Sequence, residues 1–213
     1  MAPMFRTRVK ICGVTRSEDG VIAAELGADA IGLVFYPPSP RFVDRATAQR
    51  IVAALPPFVV TVGLFMNAEP AAVQAVLESV RLDLLQFHGD ETPVYCEFFG
   101  KPYLKAVPMG ANPDVRDYEQ QFSSATGLLL DSQGGQKMGG TGQSFDWARI
   151  PAERYKPLIL AGGLHPGNVT EAIRQVRPYA VDVSSGVESA KGVKDAALMR
   201  AFLRGVYDCE SHA

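Results

Sequence analysis

VKICGVT, residues 9–15, is a short apolar run that stops at a cysteine and a glycine. It reads as a buried strand, and the residues just after it separate two α/β architectures. A doubly wound open sheet places a glycine-rich fingerprint after its first strand. Here the strand gives way to Cys12-Gly13-Val14, with no GxGxxG. The run also raises a chemical question. A cysteine used only for packing would be at home inside the strand, whereas this thiol sits at its end.

Similar runs recur along the chain. They are RVKICG (8–13), AIGLVF (30–35), VVTVGLF (59–65), LDLLQFHG (82–89), YLKAVPM (103–109), GLLLDS (127–132), PLILAGG (157–163) and AVDVSSG (180–186). Most are continuously apolar, as strands buried on both faces should be. Amphipathic stripes fill the gaps: Ala48, Ile51, Val52 and Leu55; Val73, Val76, Leu77 and Val80; Val169, Ala172, Ile173 and Val176; and, near the C-terminus, Leu198, Ala201 and Phe202. Ser17 before Glu18 and Asp19, and Asn67 before Glu69 and Pro70, have the look of helix starts. The helices after strands four to six read less clearly, and the one near 145–150 is expected to be a turn or two. Eight strand-then-helix units of roughly 27 residues predict a single (β/α)8 TIM barrel over residues 1–213. Short tails are expected at about 1–6 and 209–213.

Composition narrows the partners. The net charge of −2 gives no support to a nucleic-acid or polybasic membrane surface. No apolar stretch is long enough to span a bilayer, and the first ten residues lack a signal-peptide core. Cys12, Cys96 and Cys209 form neither a disulfide framework nor a metal-ligand spacing. A soluble protein of a reducing cytoplasm without a structural zinc site is expected, with Cys96 a buried inert thiol and Cys209 in a frayed tail.

In a parallel barrel the strand C-termini form one reactive face. The polar residues there are Cys12 after strand one, Arg41 after strand two, His88 after strand four, Asp131 after strand six and Asp182 in strand eight. Arg41, in the proline-stiffened PPSPRFV (37–43), suits a carboxylate, which a guanidinium grips with two parallel hydrogen bonds. The alternative is a solvated arginine, and for His88 a satisfied structural histidine. AGGLHPGNV (161–169) and SSGVESAKGVKD (184–195) follow the last two strands, where barrels usually hold phosphate. Backbone N–H groups there can ring an anion, backed by helix N-termini. The long loop within DSQGGQKMGGTGQSFDW (131–147) suits a lid that orders over a ligand, with a plain surface loop as the alternative.

Six segments, in order, resemble phosphoribosylanthranilate isomerase, a tryptophan-pathway family. They are KICGVT (10–15), PPSPRFV (37–43), LQFHGDE (85–91), LLLDS with GGTGQSFDW (128–132, 139–147), LAGGLHPGNV (160–169) and DVSSGVESAKGVKD (182–195). The resemblance implies an Amadori rearrangement of a small phosphorylated substrate, N-(5-phosphoribosyl)anthranilate, with no cofactor and no metal. It implies Cys12 as general base and Asp131 as general acid. Arg41 would hold the anthranilate carboxylate, His88 and Asp182 would line the site, and Gly162, Gly163, Ser184, Ser185 and Gly186 would take the phosphate. No nucleic acid or membrane partner is implied, and the chain would work as a monomer or a homodimer.

The chemistry fits those residue types. An acid must protonate the furanose ring oxygen as the ring opens to an iminium, and a base must then remove the C2′ proton. The resting protonation does not fit. Unperturbed Asp and Cys titrate near 3.9 and 8.5, so thiol plus carboxylate would prevail, about 6 kcal/mol from the working pair. The site is therefore expected to raise Asp131 by desolvation and to lower Cys12 by nearby positive charge, though not from Lys10, which reads as alternating away from the thiol. Three other readings stay open. One is a phosphosugar isomerase of histidine biosynthesis, which would use two carboxylates. Another is a Schiff-base aldolase on Lys105. The last is a phosphate-binding barrel without chemistry.

Overall fold

The computed structural model describes residues 6–132 and 146–210. Eight parallel strands close into a barrel in sequence order: β1 (Arg8–Cys12), β2 (Ala30–Val34), β3 (Val60–Phe65), β4 (Leu84–Phe87), β5 (Tyr103–Pro108), β6 (Gly127–Asp131), β7 (Leu158–Leu160) and β8 (Ala180–Val183). β8 returns to β1 with Lys10 opposite Asp182, so no barrel strand is left as an open edge. The expected architecture is the observed one.

Both faces of the strands are buried, which is why the runs do not alternate. Outward residues such as Ile11, Leu33, Phe65, Phe87, Val107, Leu130 and Val183 pack into one large core with the helices. Leu104, Ala106, Leu129, Ile159, Ala161 and Ala180 form a separate cluster, with Leu84 packed against it. These alternate with the outward residues on β5 to β8 and so fill the inner face. Lys10, Gln86 and Asp182 are buried too, at inner positions of β1, β4 and β8.

The helices are α1 (Ser17–Glu25), α2 (Arg45–Ala54), α3 (Pro70–Ser79), α4 (Pro93–Glu97), α5 (Val115–Gln121), α6 (Val169–Val176) and α7 (Ala196–Glu210). After β6 the only described helical piece is a 3₁₀ turn, Trp147–Arg149, capped by Asp146 accepting from Ala148 N. That matches the weak signal there. α1 starts at Ser17, but Arg16 is the capping residue and offers no side-chain cap, because a guanidinium has no acceptor; it pairs with Asp19 instead. Asn67 caps nothing. It adopts a left-handed φ of 49° and accepts from Asp90 N, while Glu69 precedes α3 and Pro70 opens it. The α7 stripe lies one residue on from the expected one. Met199, Phe202, Leu203 and Val206 are buried and Leu198 is exposed, since the spacing around Phe202 fits either set. Cys209 is held in the last turn of α7, donating to Thr170 O at 3.2 Å, rather than lying in a frayed tail. A hairpin of β9 (Glu188–Ala190) and β10 (Val193–Lys194), which the sequence reading omits, follows a 3₁₀ turn at Ser185–Val187.

Candidate active site

One cavity opens at the C-terminal mouth of the barrel. Its wall takes Cys12 from β1, Arg41 from the loop after β2, Gln86 and His88 from β4 and its end, and Asp131 from β6. Gly162 and Gly163 follow β7, and Asp182, Ser184 and Ser185 come from β8 and its end. Nine of the ten site residues expected from the sequence thus line one cavity. The tenth, Gly186, lies beneath it: a Cβ there would collide with the Leu164 carbonyl, so its missing side chain lets two loops touch. Residues 133–145 of the expected lid lie outside the described residues.

The thiol is nearly buried on the cavity floor. Gly13 turns the chain with φ +73°, and the room it leaves is filled by Arg41, whose Cδ would lie 2.5 Å from a Cβ there. The sequence left Lys10 unassigned as alternating away from Cys12. In a strand, however, positions two apart share a face, so Lys10 stands below the thiol on the inner wall. Its Nζ donates to Asp182 Oδ1 at 2.9 Å. The expected lowering of the thiol pKa is not found in the ligand-free chain. Burial raises it, Asp182 adds to the rise, and Lys10 and Lys194 oppose both without prevailing.

Asp131 sits three strands from Cys12 around the barrel, so acid and base candidates enter the mouth from different sides. Its Oδ2 lies 3.1 Å from His88 Nε2. Gln86 Nε2 lies 3.0 Å from His88 Nδ1, and an N–H donated there leaves the ring proton on Nε2, facing the carboxylate. Gln86 was missed by the sequence reading. Its signal was a polar residue two before His88 in an apolar strand, hence on the same face.

Arg41 is buried rather than solvated. Its Nε and Nη2 donate to the two carboxylate oxygens of Glu188, both at 2.8 Å. Lys194 Nζ donates to Glu188 Oε1 at 2.9 Å and to Ser184 O at 3.1 Å. Burial alone would raise the Glu188 pKa, but the two cations hold it below its ordinary value. Two cations around one carboxylate leave a positive excess at the cavity wall, a setting that attracts an anion. Opposite, Gly162 and Gly163 both adopt left-handed φ, +79° and +68°. Among the described residues their N–H groups donate to no backbone carbonyl, and such amides can serve an anion.

Lys105 faces the other way. It is 2% exposed on the outer face of β5, where its Nζ meets Glu91 Oε2 at 2.8 Å and Gly89 O at 2.5 Å. A substrate in the barrel cannot reach it. Among the described residues no group of three or more His, Cys, Asp or Glu could hold a metal, and no helix is long and apolar enough to cross a membrane.

Fold and site together define a (β/α)8-barrel protein with a thiol, a carboxylate and two glycine-bearing loops at its mouth. The sequence pattern described as N-(5'phosphoribosyl)anthranilate (PRA) isomerase matches residues 9–205, and the chain belongs to that family. An N-(5'-phosphoribosyl)anthranilate isomerase of Nitrosococcus oceani is 56% identical over 202 residues, covering 95% of this chain and 98% of its own. The phosphoribosyl anthranilate isomerase of Thermotoga maritima superposes with a TM-score of 0.87 at 40% identity, over 95% of this chain and 99% of its own. A phosphoribosyl anthranilate isomerase has also been solved in complex with reduced 1-(o-carboxyphenylamino)-1-deoxyribulose 5-phosphate. It superposes with a TM-score of 0.78 at 39% identity, over 95% of this chain and 99% of its own.

Proposed function

We propose that the chain converts N-(5-phosphoribosyl)anthranilate to 1-(2-carboxyphenylamino)-1-deoxyribulose 5-phosphate, with Asp131 as general acid and Cys12 as general base. Asp131 gives its proton to the furanose ring oxygen. The C1′–O bond breaks and the nitrogen lone pair forms an iminium. The Cys12 thiolate then takes the C2′ proton, and the C–H electron pair becomes the C1′=C2′ bond of an enolamine as the iminium nitrogen regains its lone pair. Tautomerisation gives the ketone. The iminium is the electron sink, so the chain's own acid and base suffice.

The observation that carries this reading is the shared cavity: thiol, carboxylate, guanidinium and glycine loops come from five different strand ends and line one space. Arg41 presents its remaining Nη edge to the anthranilate carboxylate while Glu188 holds the other edge. Gly162, Gly163, Ser184 and Ser185 take the phosphate. His88 orients Asp131, and Asp182 borders the sugar. The outward position of Lys105 argues against a Schiff-base reading.

The test follows the loss of anthranilate-type fluorescence from freshly made substrate. Rapid loss with the unaltered chain and near-background loss with Cys12→Ala is the expected result. Rapid loss with both would remove Cys12 from its role, and no loss with the folded unaltered chain would remove the activity.

A further inference from the structure

Lys10 is a buried cation that the acid–base scheme leaves unused. It lies two residues before Cys12 on the inner face of β1, and Asp182, its register partner on β8, accepts from its Nζ at 2.9 Å. On the other side β2 offers Gly32. A Cβ built there would lie 2.7 Å from Cys12 Sγ and 3.0 Å from Lys10 Nζ, so sulfur and ammonium converge on the same spot beside a missing methyl group. A buried thiolate is costly unless a cation accompanies it. The ammonium has three N–H groups, and the one on Asp182 leaves others for the sulfur.

We propose that Lys10 is a positioning residue of the reaction: held by Asp182, its ammonium stabilises the Cys12 thiolate that receives the substrate proton. This rests on the reading of Cys12 as the base. The other charged groups around the sulfur are Asp182 on β8, Lys194 on β10, Arg41 after β2, and His88 and Asp131 across the mouth. Asp182 opposes the thiolate. Lys194 and Arg41 favour it, but both are bound to Glu188. Burial is the largest influence on the thiol, and Lys10 is the largest one acting against it.

The experiment is a pH titration of thiolate ultraviolet absorbance in the full chain, with Cys12→Ser as the blank. Lys10→Met should move the Cys12 midpoint up by about one pH unit or more, and Lys10→Arg should restore most of it. Asp182→Asn should move the midpoint down, because it removes the charge that competes for Lys10. kcat should follow the midpoint in Lys10→Met while KM changes less. A barrel merely loosened would admit water and lower the midpoint in both variants, so a fall or no change in Lys10→Met overturns the proposal. If Lys10→Met does not fold, Lys10→Gln decides, and an unmoved or lowered midpoint there overturns it. Full turnover by Cys12→Ala would instead overturn the base reading itself.

Discussion

Gly32 is where the thiol proposed as the base is most exposed to a single atom's change. No ligand-facing group is lost in Gly32→Ala, yet its new Cβ would lie 2.7 Å from Cys12 Sγ, closer than real side chains sit, and a tight 3.1 Å from Cys12 Cα. The sulfur must shift, and an acid–base pair displaced by about 1 Å loses on the order of a hundredfold in rate. The expected result is a kcat lowered about a hundredfold, with the substrate KM changed little and the melting temperature down a few degrees. Steady-state kinetics beside a thermal melt would check it, and an unchanged kcat would show that the strand absorbs the methyl. At this scale the sequence revealed residues at strand ends, where a polar group interrupts an apolar run: Cys12, His88, Asp131 and Asp182. It did not reveal the partners. Lys10 was set aside by a misread alternation, and Gln86 was absorbed into a strand. Glu188 and Lys194 were taken as part of a phosphate loop, since nothing local announces that a hairpin will turn them towards Arg41.

The β9–β10 hairpin is the element that aims the loop arginine proposed to read the substrate carboxylate. Glu188 opens it and accepts from the Arg41 guanidinium, and Lys194 ends it and donates to Glu188. Thr15 Oγ1 donates to Gly192 O at 2.5 Å, which ties the hairpin tip to the loop after β1. Glu188→Gln keeps the shape but removes the negative charge and leaves one acceptor oxygen where there were two, so one Arg41 N–H loses its partner. Arg41 would then be less firmly aimed, so KM should rise about tenfold, or about 1.4 kcal/mol, with kcat falling less. Equal losses in both constants would mean that Glu188 serves the chemical step instead. Elements were legible where apolar spacing repeats, as in α2, α3 and α6. They were poorly legible where the spacing is shared, as in the α7 stripe, or where the piece is short, as in α4 and the hairpin. Two or three residues carry no period to read.

Closing eight strands on one another buries titratable groups on both sides of the wall, and that gives the whole molecule a pH signature. Outside the barrel, burial pushes the Cys96 thiol and the Tyr95 hydroxyl up to about 12. Inside, burial raises Cys12. Burial would lower Lys10, but Asp182 and Cys12 outweigh it and raise its pKa. Each of these groups keeps its proton in the folded chain at a pH where the unfolded chain has lost it, starting near 8.5 for cysteine and near 10 for tyrosine and lysine. The unfolded state then binds fewer protons, so stability falls as pH rises. On the acid side the sign reverses. Glu188 is held below its ordinary value, so its contribution is present above about pH 4.3 and is lost as pH falls through the folded value. Thermal melts of the full chain across this range should be nearly flat from about pH 5 to about pH 8 and fall on both sides. Cys96→Ala should make the alkaline fall shallower while leaving the acid limb in place, and Glu188→Gln should do the opposite. The continuously apolar strands that made the barrel readable from sequence are what bury these groups. A melting temperature that stayed level above about pH 9 would mean that the unfolded chain shelters its thiols and phenols as well as the folded one does.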